Sequence, residues 1–146
     1  MNRTDKTFNL LKRSVLVVFL NQTKEELCLD TDSHQLAQGT WAASNKLPPS
    51  ILAGESGLWR SKSSKSGRGT MGSVAYHIAG DPLQHVVKAS WKNPVLGRNS
   101  YQGSVTTSEF DLDIHGSGGA HGIVVFILRM SIRYTVCRPE LIVDDG

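Results

Sequence analysis

Cysteine is scarce in this chain: among 146 residues there are two, Cys28 and Cys137. They stand too far apart for a CxxC or zinc-ribbon spacing, so neither a disulfide framework nor a metal cage is in view. Both read as free thiols, and the fold must rest on an apolar core, which a chain of this length can bury. Long apolar runs are missing too. The best is Val15-Leu16-Val17-Val18-Phe19-Leu20, far short of a membrane-spanning helix. Lys12-Arg13 ahead of it imitate the start of a secretory leader, but Asn21-Gln22 follow at once and no small-residue cleavage site is visible. The expectation is a soluble protein with no signal peptide, cytoplasmic until released or exported and then peripheral on a target membrane.

Charge of one sign is also modest. Sixteen Lys and Arg against thirteen Asp and Glu leave a formal net charge of +3, and no basic stripe interleaved with stacking aromatics is evident, which argues against nucleic acid. Catalytic patterns are absent. There is no G-x-S-x-G elbow, and Gly116-Ser117-Gly118-Gly119 lacks the Lys-Ser/Thr of a phosphate-binding loop. His115 and His121 fit no metal spacing, and Asp111 and Asp113 read as the wet face of a strand. The chain is therefore expected to be no enzyme, with no catalytic residue, no metal and no cofactor.

What is present is strand periodicity. Val15, Val17 and Phe19 alternate with Leu16, Val18 and Leu20, so the first strand is apolar on both faces and belongs in the middle of the fold. Asn21-Gln22-Thr23-Lys24 reads as a turn leading back through Leu27-Cys28-Leu29 as a hairpin. Short extended pieces follow around Gly39-Thr40-Trp41, Ile51-Leu52 and Leu58-Trp59, interrupted by Pro48-Pro49. The run Ser61 to Gly69 is small, polar and basic, and reads as a loop. Val74, Tyr76 and Ile78 share one face of a strand that turns at Ala79 to Leu83 into Gln84 to Trp91. Ser104 to Ile114 reads as one strand, and Val124 to Val136 keep one parity over a longer stretch. Eight or nine short strands without a 3.6-residue period predict an all-β, single-domain antiparallel β-sandwich. Its expected divisions are a loose segment 1–11, the sandwich over 12–137 and an acidic tail 138–146.

The segment from Gly69 to Tyr101 carries the functional signal. Gly69-Thr70-Met71-Gly72 feeds a strand, and Trp91…Asn93-Pro94…Gly97…Asn99…Tyr101 shapes a loop flanked by aromatic rings. Such a loop suits recognition better than catalysis. Together with Arg13-Ser14-Val15, Gly39-Thr40-Trp41 and Pro48-Pro49…Gly54, these motifs resemble the aegerolysins over about Arg13 to Arg129. Those are small β-sandwich proteins, similar in fold to actinoporin-type cytolysins; one is the small component of a two-part insecticidal crystal toxin.

The resemblance implies a cytolysin component that binds membrane lipids of sphingolipid type and recruits a larger pore-forming protein; the chain's own cations add anionic headgroups as the other lipid partner, and a homo-oligomer is left open. It places lipid contact on Trp41, Trp91 and Tyr101, beside the Gly69 to Gly72 turn. The residues themselves add Trp59, an amphipathic ring suited to a membrane interface, and the cations Lys65 and Arg68, beside Lys62, suited to lipid phosphate. The loop after Pro94 carries Val95-Leu96 where some fungal lipid binders have an aromatic residue. A lectin-like or protein-binding sandwich without membrane activity is the other reading.

Overall fold

Alternating apolar residues need two surfaces to bury them, and the chain supplies two sheets. The computed structural model describes residues 12–32, 35–42 and 46–132; the segment 1–11, the tail 138–146 and Cys137 lie outside the described residues. The strands are β1 (Ser14–Gln22), β2 (Leu27–Leu29), β3 (Gln35–Gln38), β4 (Thr40–Trp41), β5 (Ser50–Ile51), β6 (Ser56–Lys62), β7 (Thr70–Ile78), β8 (Val86–Asn93), β9 (Ser100–Val105), β10 (Phe110–Gly116) and β11 (His121–Met130). One sheet runs β10-β11-β1-β6-β4. The other runs β5-β2-β7-β8-β9, with β3 also paired to β7. The fold is a β-sandwich, as the periodicity predicts.

Between the sheets lies one apolar core. Val15, Val17 and Phe19 of β1 meet Trp59 of β6 and Val124, Phe126 and Leu128 of β11 from one side, and Val74, Tyr76, Val87, Ala89 and Trp91 from the other. The large rings form a continuous cluster: Phe19 stacks 6.1 Å from Phe126 and 6.5 Å from Trp59, and Trp59 lies tilted 6.0 Å from Trp91. The Tyr76 hydroxyl ends in this core and donates to Pro48 O at 2.8 Å; burial pushes its ionisation well above the ordinary tyrosine range. The first strand is central in its sheet, lying between β11 and β6, but only its Val15, Val17 and Phe19 face is buried; Leu16, Val18 and Leu20 on the outer face stay half-buried, because among the described residues no third layer covers this sheet.

Three local expectations are corrected. The proposed hairpin of β1 and β2 does not form: β2 pairs with β5 and β7 in the opposite sheet. The turn is instead a corner between sheets, organised by Asn21, whose side chain is buried. Its Nδ2 lies 2.8 Å from Glu25 O and 3.1 Å from Ile51 O, and its Oδ1 accepts from Thr23 Oγ1 at 2.7 Å. Ser104 to Ile114 is likewise two strands, broken at Thr106–Glu109 where the chain crosses from β9 in one sheet to β10 in the other. Finally, Ser61 and Ser63 of the polar run are buried. Ser61 Oγ accepts from Trp91 Nε1 at 2.8 Å and Thr70 Oγ1 at 3.0 Å, so this serine bridges the sheets.

One pairing departs from an all-antiparallel scheme. β1 and β11 lie parallel, Ser14 opposite His121 through Gln22 opposite Arg129, while the other paired strands are antiparallel. Asp113 on β10 is ion-paired to Arg129 on β11, which gives the Asp111 and Asp113 face a structural explanation. Among the described residues no helix is long and apolar enough to cross a membrane.

Candidate functional site

The strand registers bring five separate stretches of sequence to one end of the sandwich. β1 and β11 start there, with Ser14 opposite both His121 and Lys62; β6 ends there, β7 starts there, and Asn93 at the end of β8 faces Thr70. β9 starts there with Ser100 opposite Lys92, and β10 ends there at Gly116. This end therefore collects Lys12-Arg13, the turn at Gly39 between β3 and β4, and the connections 63–69, 94–99 and 117–120.

The stretches are tied together by carbonyl-directed bonds. Asn93 is fully buried; its Nδ2 lies 2.9 Å from Ala120 O, 3.0 Å from Ser14 O and 3.2 Å from Gly119 O, and its Oδ1 accepts from Arg13 Nη1 at 3.0 Å. Asn99 Nδ2 donates to Gly119 O at 2.9 Å, and the Tyr101 hydroxyl donates to Ser117 O at 2.7 Å. The Tyr101 ring lies against Gly116 and Gly122, where a Cβ would overlap it. Partial burial raises the phenol's pKa. Asn93→Ala is expected to cost about 3 kcal/mol, since buried carbonyls lose their donor together. Urea unfolding measures this, and a loss below about 1 kcal/mol would mean that the bonds are replaced without penalty.

Charge at this end is uniform. Lys12, Arg13, Lys62, Lys65, Arg68, Lys92 and Arg98 all stand there, and no Asp or Glu occurs in its stretches 12–13, 38–40, 62–70, 92–100 and 116–121. Carboxylates gather at the opposite end: Glu25 and Glu26 follow β1, Glu55 precedes β6, Asp81 lies between β7 and β8, and Glu109 precedes β10. The Asp81 carboxyl is held below the ordinary range by the backbone amide of His85, and by that of Leu83. At the tip of the basic end Leu96 is 87% exposed and Val95 42%.

The predicted site residues divide accordingly. Lys65 and Arg68 are exposed at this end, and Tyr101 stands half-buried in its wall. Trp59 and Trp91, at 0% and 2% exposed, are core residues with no surface to offer. This corrects their candidacy as contact residues. The parity of Trp91 with Val87 and Ala89 on β8 places it inward, and Trp59 shares the inward face of β6 with Gly57 and Ser61. Trp41 is partly buried on the short edge strand β4, 5.9 Å from Trp91, so its indole is chiefly a lid on the core. Leu96, Arg98, Lys92 and Arg13 were missed. The sequence carries a signal for Leu96, since an apolar pair, Val95-Leu96, at the centre of a Pro/Gly/Asn loop has no strand to bury it.

Two concavities adjoin. A cleft of about 570 Å3 is lined by Arg13, residues 97–101 and residues 116–120. A smaller groove of about 380 Å3 lies on the outer face of β7, β8 and β9, lined among others by Met71, Ser73, Ser90, Lys92, Ser100 and Gln102. Among the described residues no group of three His, Cys, Asp or Glu side chains could hold a metal ion.

No family profile matches the chain, and no curated protein matches it in sequence. Solved structures do match in shape. The lipid binding protein Nakanori superposes with a TM-score of 0.64 at 14% identity, over 80% of this chain and 70% of that one. The RahU protein, solved in complex with a TRIS molecule, gives 0.65 at 14% identity, over 82% of this chain and 96% of that one. What is shared is the fold.

Proposed function

We propose that this chain binds membrane lipid, adsorbing peripherally through the basic end of the sandwich. The observation that carries this reading is the convergence of cations from separate segments around the exposed Leu96, with no carboxylate in the same stretches. A cation close to an anionic leaflet gains about 1 kcal/mol, and a fully inserted leucine about 1.5–3 kcal/mol. Several cations and one leucine are enough for reversible adsorption. A fold neighbour described as a lipid binding protein supports the same reading.

The finer role we assign is that of a cytolysin component: a binding protein with no catalysis of its own, which reaches its target membrane after release or export and recruits a larger pore-forming partner. The cation-rich end favours anionic headgroups over neutral sphingolipids. Sedimentation with vesicles of sphingomyelin, ceramide phosphoethanolamine, anionic lipid and neutral lipid tests this. Binding is expected on anionic vesicles and should fall by more than about tenfold between 50 and 500 mM salt, as screening shortens to a few ångströms. Binding to no lipid, with retention on a glycan array, would instead favour the lectin-like reading, for which the polar groove around Lys92 and Gln102 is the natural seat.

A further inference from the structure

The geometry points to a phosphate-binding subsite in the cleft at the basic end, formed by Arg13 and Arg98 together with the backbone amides of Gly118 and Ala120. This deepens the membrane reading and rests on it for the source of the phosphate, which is a lipid headgroup; the chemistry of the subsite stands on its own.

In the loop between β10 and β11 two carbonyls are engaged by side chains from β8, β9 and the connection between them. Ser117 O is taken by Tyr101 Oη and Asn99 Nδ2, and Gly119 O by Asn99 Nδ2 and Asn93 Nδ2. In a trans peptide the carbonyl and the following N–H point in opposite directions, and no cis peptide occurs among the described residues. Turning these two carbonyls inward therefore turns the amides of Gly118 and Ala120 outward. Neither amide makes a hydrogen bond among the described residues. Gly119 sits between them at φ +94°, a left-handed conformation that glycine adopts without strain. Turn amides on either side of a left-handed glycine, directed away from the bonded carbonyls in this way, can make an anion-binding concavity.

The cations complete it. The Arg13 guanidinium is fixed by two neutral acceptors, Asn93 Oδ1 at 3.0 Å and Val95 O at 3.3 Å, so its position is set while no carboxylate pairs with it among the described residues. Arg98 is exposed, and no hydrogen bond or ion pair engages it among the described residues. Both border the same cleft as Gly118 and Ala120. A planar guanidinium with free N–H groups matches a phosphate's oxygens better than an ammonium does. A carboxylate ligand would satisfy fewer of these donors than the three free oxygens of a phosphate monoester.

The test uses the full chain and two readouts. Inorganic phosphate, titrated against chloride at equal ionic strength, is expected to shift the amide resonances of Gly118 and Ala120. Arg98→Gln, in an exposed loop where the fold does not depend on it, should weaken that response about tenfold. Vesicles containing phosphatidic acid should bind about tenfold more tightly than vesicles given the same surface charge by a carboxylate amphiphile, and Arg98→Gln should abolish the preference. Equal binding to both vesicles without a phosphate-specific shift overturns the subsite and leaves the membrane reading intact. A phosphate shift lost in Arg98→Gln, with no vesicle bound, supports the subsite and overturns the membrane reading.

Discussion

Leu96→Asp is expected to lower partitioning onto anionic vesicles by about 10- to 100-fold, the equivalent of about 1.5–3 kcal/mol of lost apolar transfer. The leucine is 87% exposed, so the protein's own stability gains almost nothing from it. Thermal unfolding of the variant should coincide with that of the parent. A new carboxylate would also stand among cations, weakening attraction to the leaflet at low salt and less so at high salt. Leu96→Ala separates the two contributions, since it removes the apolar side chain without adding charge. If both variants bind vesicles as the parent does, the tip does not enter the membrane and this end of the sandwich has been assigned wrongly.

Trp91→Ala should act in the opposite way, costing about 3–5 kcal/mol of stability while telling nothing about lipid. The indole is 2% exposed, packs against Trp59 and Trp41, and donates to Ser61 Oγ at 2.8 Å. Such a loss is a large part of the 5–15 kcal/mol that a typical domain possesses, so the variant is expected to be poorly folded at 37 °C. Trp91→Phe is the informative companion. It keeps most of the ring, forfeits one hydrogen bond at a cost of about 1 kcal/mol, and should leave vesicle binding unchanged. Loss of binding by a folded Trp91→Phe protein would show that the indole reaches lipid after all.

The strands were legible where alternation is strict. Val74, Tyr76 and Ile78, and Val87, Ala89 and Trp91, are inward as their parity predicts, because period two is a property of the backbone and needs no partner. Pairing was less legible. The residues around Asn21 look like a hairpin turn from composition, yet the asparagine bonds to Ile51 O across thirty positions of sequence, and no local pattern announces a distant carbonyl. The aromatic residues misled for a related reason: an indole suits a membrane interface and a protein core equally well, and only the neighbouring sheet decides between them. The basic end is the clearest case. Lys62, Lys65 and Arg68 stand out together in one basic run, but Arg13, Lys92 and Arg98 lie in other stretches where nothing marks them, and they join that run only once the registers gather them.

The parallel pairing of β1 with β11 bears on when this protein can fold. β1 is central in its sheet, and one of its two neighbours is the last strand described. Until that strand has left the ribosome, one backbone edge of β1 stays unpaired and Val124, Phe126 and Leu128 are missing from the core. Closure of so long a loop is slow compared with the β7–β8 hairpin, whose strands are close in sequence. The sheet containing that hairpin can assemble during synthesis, and the sheet built around β1 has to wait for the chain's later part.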